Sequence, residues 1–554
     1  MTLTVAALLA LTFLISVLGL FVFIWAQSKG LLAAGPHAAE VIFAPNEVGT
    51  IEDPSGSDTS RLALQSARDA ALALPTSAAG NPRKIGPAEL EERRRADLSS
   101  RAPAFAFICS AVLWLVLGSV FGLVTSLKFQ APDWLTGSAL LTFGRLRPAH
   151  LNLVIYGWAS MAGIGVALWM LPRLLKTALV GGHFAVVGAS VWNLGVACGV
   201  TAIVLGWSDG MEWLEIPWQI GGLLVVGGAL AAVPLLLTLR NRTVNHLYVS
   251  VWYLAAALLW FPILYVVAKA PYVHFGVEAA IMNWWFAHNV LGLWLTPLGL
   301  AAAYYFIAKV LGRPIYSYSL SLIGFWALAM FYSQVGIHHI IGSPIPTWLV
   351  TVSVVQSVMM IVPVFAVAIN QHMTVLGHFA ALKHSPTLRF VVLGAMLYTL
   401  VSLQGTLEAL PYFNRVTHFT QYTIAHAHLG VYGFFSMVMF GSIYFLMPRV
   451  AEREWPYPRL IALHFWLVAI GLGVYFVSLT IGGLLQGLAM LDPARPFLDS
   501  LTVTLPYLTA RSVGGTLMTL GHFIFAYHFL ALVLKRGPQR VGAALIGAPQ
   551  ASGA

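Results

Sequence analysis

Charge is what this chain lacks most. Only 9% of its 554 residues are Asp, Glu, Lys or Arg, while 59% are apolar; soluble domains carry about 25% charged residues. That balance excludes an ordinary soluble domain and points to a polytopic membrane protein. Cysteine is almost missing as well. Cys109 and Cys198 each lie inside an apolar run, which excludes a disulfide framework, a cysteine-rich metal site and covalent heme attachment through Cys-x-x-Cys-His. Any redox chemistry must use histidine or non-covalent cofactors. Acidic residues number 20 against 30 basic ones, a net charge of +10. The basic residues sit at the ends of apolar runs, the pattern of membrane orientation, so nucleic acid is excluded as a partner and the lipid bilayer is implied.

What is present is a succession of spans. Residues 3–25 form a first apolar run, read as an extra transmembrane helix occupying 1–27. A polar, mobile linker is expected over 28–103, including the charged stretch Glu89 to Arg95. Twelve runs of spanning length follow within a core of 104–538, and a tail occupies 539–554. The runs are continuous rather than alternating, which excludes a transmembrane β-barrel. The expected fold is therefore an all-α integral membrane bundle of twelve core helices plus one. Arg173, Lys176, Arg240, Arg242, Lys309, Arg313, Arg449 and Arg453 fall in connectors on one side. That side is predicted to be cytoplasmic.

With this topology six intramembrane histidines fall near the opposite, outer face: His150, His288, His338, His339, His426 and His428. Histidines kept only for packing would scatter in depth, so this co-location on four helices predicts a shared metal or heme site. His426 and His428 are two residues apart, about 200° around a helix, and can serve two objects on opposite sides. Three imidazoles suit a copper or non-heme iron with an open position. Adjacent His338 and His339 supply two, and His288 is the natural third. An electron-carrying heme takes two axial ligands and a gas-binding heme one; His150 with His428 makes the first kind, His426 alone the second. Tyr332 precedes His339 by seven residues, on the same helical face about 10 Å further in. Ser321 and Tyr304 lie deeper still, where these hydroxyls could carry protons or simply bond backbone.

Gly144-Arg145-Leu146-Arg147-Pro148-Ala149-His150, Trp284-Trp285-Phe286-Ala287-His288-Asn289, Tyr332 through His338-His339, and His426-Ala427-His428 occur in order. From about 104 to 536 the chain resembles the catalytic subunit I of the cbb3-type cytochrome c oxidases, in the heme-copper oxidase superfamily. The resemblance implies a respiratory enzyme of the bacterial inner membrane, its active site toward the periplasm. It would reduce O₂ to water with electrons from membrane subunits carrying c-type heme. It implies low-spin heme b on His150 and His428, high-spin heme b3 on His426, and copper on His288, His338 and His339. Tyr332 would be the tyrosine cross-linked to the ligand His288. Arg147, with a guanidinium fork suited to carboxylates, and His418 would meet heme propionates, and Glu212 a calcium ion. His246, His274, His372, His378, His384, His464, His522 and His528 are read as structural.

Two positions depart from the family pattern. Gly324 replaces a proton-pathway histidine and Gln404 a glutamate, so proton pumping is left open. The first 55 residues, with Phe23-Ile24-Trp25-Ala26 and Glu52-Asp53-Pro54, weakly resemble a small one-span maturation protein of the same oxidase class. Two readings compete with an oxidase. A nitric oxide reductase of the same superfamily would hold iron in the three-histidine site, and iron favours an added carboxylate, whereas Tyr332 and Gly292 stand where one would be sought. A transporter with a histidine relay would leave the ligand count unexplained.

Overall fold

Runs this apolar can only satisfy their backbone internally in a bilayer, and helices do so segment by segment. The computed structural model describes residues 3–31, 36–44, 47–49, 53–56 and 86–539. After α1 (Leu3–Ser28) it has α2 (Pro87–Leu127), α3 (Phe143–Leu174), α4 (Gly182–Leu205), α5 (Trp218–Arg240), α6 (Val249–Lys269) and α7 (Gly276–Leu311). Then come α8 (Tyr318–Ile340), α9 (Thr347–Val375), α10 (Pro386–Ala409), α11 (Gln421–Ala451), α12 (Pro458–Leu491) and α13 (Phe497–Val533). Among the described residues, the twelve helices α2 to α13 are long and apolar enough to cross a membrane.

Burial separates three helices from the rest. In the most apolar stretches of α3, α7 and α11, 94%, 89% and 83% of residues are buried, against 56% or less in every other span. A helix apolar all round belongs at the centre, and these three carry His150, His288, His426 and His428. Each also leaves α geometry right beside its histidine. Leu153–Ala159, Val290–Leu295 and Leu429–Ser436 are π-helical, a distortion frequent at functional sites.

The segment expected as one polar linker is divided in the structure. α2 starts at Pro87, well before residue 104, and includes the charged stretch Glu89 to Arg95. Buried charge is tolerated there because it is paired: Arg173 clamps Asp97 with two bonds of 2.6 Å, and Arg93 binds Glu47. Residues 36–56, where described, pack on the Lys- and Arg-rich side of the core rather than forming a mobile connector. Ile42 and Phe43 are buried, and Glu47 reaches Lys309 at 2.5 Å. Asp53 accepts hydrogen bonds from Ser55, Ser385 and Thr387 at the start of α10. On α1, Phe23 meets Trp326 of α8 edge to face at 4.8 Å. Glu52 and residues 540–554 of the expected tail lie outside the described residues.

Burial alone would raise the Glu47 pKa, but the Lys309 ammonium and the Arg93 guanidinium outweigh it and lower it from 4.5 to about 2. A carboxylate depressed on folding contributes stability above its unfolded pKa and loses it as pH falls through the folded one. The clasp is expected to hold above pH 4.5 and to weaken progressively toward pH 2, while Glu47→Ala, which takes the shared carboxylate from two buried cations, costs about 3–5 kcal/mol. Cross-linking yield between residue 49 and residue 312, whose backbones are hydrogen-bonded at 2.6 Å, followed against pH, checks the first statement, and the thermal midpoint of the variant the second.

Candidate heme and metal site

A cavity of about 620 Å³ opens between α2, α3, α7, α8, α10, α11 and α13 and is lined by all six histidines. His150 of α3 and His428 of α11 face each other with ring centres 6.5 Å apart and planes within 12°. The far nitrogen of each ring is committed: His150 Nδ1–H donates to the Gly118 carbonyl at 2.7 Å, and His428 Nδ1–H to that of Ile424 at 2.9 Å. Both Nε2 atoms thereby carry the lone pair, open on His150 and met by the Tyr475 hydroxyl at 3.2 Å on His428, a contact that a metal would displace. Two metal–imidazole bonds of about 2 Å each fit between such rings.

His426 faces α10, with Nδ1–H directed to Gln404 Oε1 at 3.3 Å and Nε2 3.9 Å from the Glu408 carboxylate. Gln404, which replaces the expected glutamate, thus touches the ring as a neutral acceptor. On the other wall, ligand nitrogens of His288, His338 and His339 lie within 4.8 Å of one another. A small inward rotation would bring them onto one ion with bonds of about 2 Å. Ser357 spends its own proton on the Ser353 carbonyl at 2.7 Å, so His338 Nδ1–H, 3.1 Å away, donates to it and Nε2 faces inward. His339 lies flat on Trp284, ring centres 4.4 Å apart. Buried His288 Nδ1 has no hydrogen-bond partner, the state expected of a ligand atom.

Tyr332 reaches this group, but not by the expected geometry. Tyr332–Ile340 is a 3₁₀ segment, not α-helix, so the seven-residue spacing to His339 does not set its direction. The ring lies 5.2 Å from His288 because Gly292 makes room: a Cβ there would stand 1.7 Å from the Tyr332 ring. Tyr304 is buried and stacks on Tyr253 at 6.0 Å. Ser321 donates to the Tyr318 carbonyl at 2.6 Å, the backbone-bonding alternative for that hydroxyl. Neither lines the cavity, whereas Tyr332 does.

At the outer end, Arg147 pairs with Glu212 at 2.7 Å, and Asn283 holds the Glu212 backbone. Burial raises the nearby Glu215 carboxyl to a pKa of about 7, with Asn152 donating to it at 2.8 Å. His418 donates to the His339 carbonyl at 2.9 Å. Sequence reasoning missed Arg511. It is buried in the same wall against Ser126, Phe129 and Tyr475, and a guanidinium so placed seeks an anion.

Also missed were the ties between the three π-segments. Ser160 and Ser436 donate to the Ile155 and Val431 carbonyls, five residues back, at 2.7 and 2.9 Å. Trp294 of α7 donates to Ser160 at 2.9 Å, and Trp158 of α3 to Ser436 of α11 at 2.8 Å. Every central helix that carries one of these histidines is thus locked in register with another. Ser436→Ala leaves the buried Trp158 N–H without its partner, at about 1–3 kcal/mol. It is expected to lower the thermal midpoint and the bound heme per chain; an unchanged midpoint would contradict the tie.

Residues 102–517 match the family "Cytochrome C and Quinol oxidase polypeptide I". The chain is 32% identical to cytochrome c oxidase subunit 1 of Rhodobacter capsulatus over 454 residues, 78% of this chain and 85% of that one. It is also 32% identical to the cbb3-type cytochrome c oxidase subunit CcoN1 of Stutzerimonas stutzeri, over 79% and 96%. A nitric oxide reductase chain of Stutzerimonas stutzeri is more distant, 25% identical over 78% and 94%. A heme-copper terminal oxidase dimer solved by cryo-EM shares the fold with a TM-score of 0.66 at 16% identity, covering 80% of this chain and 85% of that one. A twelve-span bundle with six histidines around one cavity, and a family match over three quarters of its length, make this chain a member of the heme-copper oxidases, subunit I.

Proposed function

We propose that the chain is the catalytic subunit of a terminal respiratory oxidase that reduces O₂ to water. The observation that carries this is the trio His288, His338 and His339 with the Tyr332 ring against it. His150 and His428 would hold low-spin heme b, His426 high-spin heme b3, and the trio copper. When bound, these groups accept electrons singly and bind O₂. The protein's own part is to orient and to hold protons. The backbone and side-chain acceptors behind the imidazoles fix their tautomers, and apolar walls exclude bulk water. Tyr332 keeps a phenolic proton beside the trio, where it can be given to the reacting oxygen. Arg147, Arg511 and His418 would meet the propionates, and Glu212 would offer an oxygen to calcium.

The Lys- and Arg-rich connectors support a cytoplasmic assignment of that side, and the site would then face the periplasm of a bacterial inner membrane. Protons would enter past Ser321 and Tyr304. The sequence has no Cys-x-x-Cys-His, so a c-type heme that delivers the electrons would sit on a membrane partner. Nitric oxide reduction would place iron in the trio and calls for a carboxylate; the described cluster there is histidine alone.

Elemental analysis of the purified complex is expected to find one copper for each copy of this chain and no iron beyond the hemes; no copper and one non-heme iron would turn the assignment to the reductase. Tyr332→Phe is expected to abolish O₂ consumption, by about 10²-fold or more, with both heme spectra retained. Turnover near the wild-type rate would remove the tyrosine from the chemistry.

A further inference from the structure

Tyr332, His338 and His339 all ride on one stretch of backbone that is ill suited to hold itself. Tyr332–Ile340 is nine residues of 3₁₀ helix, whereas runs beyond about three or four residues are uncommon because the hydrogen bonds are poorly aligned. Imidazoles that must meet on one ion need their supports fixed to about 0.5 Å. The rigidity therefore has to come from neighbouring helices.

α7 supplies one side. Gly336 packs so closely on it that a Cβ would stand 2.2 Å from the Trp284 carbonyl oxygen and 2.7 Å from His288 Cβ. Buried Asn289 donates its side-chain N–H to the Ser333 carbonyl at 2.9 Å. The residue after Tyr332 is thereby pinned to the residue after His288.

α9 supplies the other side through Ser353, which is fully buried. A serine inside a helix ordinarily turns its hydroxyl back onto its own helix, four residues earlier. The Ser353 hydroxyl instead donates to the Val335 carbonyl at 2.5 Å and accepts from the His338 backbone N–H at 2.9 Å. Those two groups, three residues apart, are the pair that a 3₁₀ turn joins to each other, so the hydroxyl spans the turn that delivers His338 and His339. The Ser353 carbonyl also takes the Ser357 proton at 2.7 Å, leaving Ser357 to accept from His338 Nδ1–H at 3.1 Å. His338 is thus held at its backbone by the Ser353 side chain and at its ring through the Ser353 backbone. Neither Ser353 nor Asn289 lines the cavity, so neither is placed to touch an ion there.

We propose that Ser353 and Asn289 are the positioning residues of the three-histidine centre. Ser353 sets the turn that brings His338 and His339 onto one ion, and Asn289 sets the distance from Tyr332 to His288. The inference rests on the reading that the trio holds copper.

The test uses the intact holoenzyme, with copper retention and the vibration of carbon monoxide as readouts. Copper remaining per chain is followed against a chelator, and the infrared stretch of carbon monoxide bound at the reduced centre reports the geometry around it. Ser353→Ala is expected to weaken copper retention by about 10–100-fold, the scale for groups that orient metal ligands, and to shift or broaden the stretch. The low-spin heme spectrum is expected to stay as in wild type. Ser353→Thr, which restores the hydroxyl, is expected to return most of the retention. Asn289→Ala, which frees the Ser333 carbonyl, carries the same expectation as Ser353→Ala and serves where that variant does not fold. Wild-type retention with an unmoved stretch in either alanine variant, or a loss that Ser353→Thr leaves in full, overturns the assignment. A wild-type enzyme that binds no copper would instead overturn the reading on which it rests.

Discussion

At the centre of this molecule the far nitrogen of each ring decides what the near one can do. Away from water an unpaired N–H is expensive, so a carbonyl or side-chain oxygen placed behind an imidazole sets its tautomer outright. Gly118 does this for His150, Ile424 for His428, Gln404 for His426 and Ser357 for His338. The inward lone pairs follow. Donors so arranged, with no backbone left to move, are what a bound metal or porphyrin needs.

Holding those oxygens in place falls to the three central helices, and their π-segments show how. The π turns shift the backbone ladder to i→i+5, Ser160 and Ser436 add their hydroxyls to the same carbonyls, and those hydroxyls take an indole N–H from a neighbouring helix. One serine therefore braces its own helix and fixes its distance to the next. The three-histidine wall is built differently, from a 3₁₀ segment whose tighter winding carries Tyr332 into the space left by Gly292.

The segment before α2 shows a related economy in charge. The family match begins at residue 102, yet Glu47 and Asp53 reach into the core and find partners on α7 and α10. Neither partner is near in sequence. A polar, charge-rich stretch reads as a linker until the buried cations that it answers are located, and Arg93 and Asp97 look like surface residues for the same reason.

Apolar run lengths, the scarcity of charge and the side on which lysine and arginine collect were enough to establish a twelve-span helical bundle, because a bilayer leaves backbone groups no other partner. Spacing and depth likewise singled out the six histidines. Tertiary structure alone decided the rest: which nitrogen of each ring points inward, that Tyr332 arrives on a 3₁₀ turn, that Arg511 and the Trp–Ser ties line the site, and that the described residues between 36 and 56 are docked. Apart from the Ile424 carbonyl one turn from His428, those outcomes depend on oxygens, cavities and counter-charges supplied from other helices, and a local pattern carries no record of them.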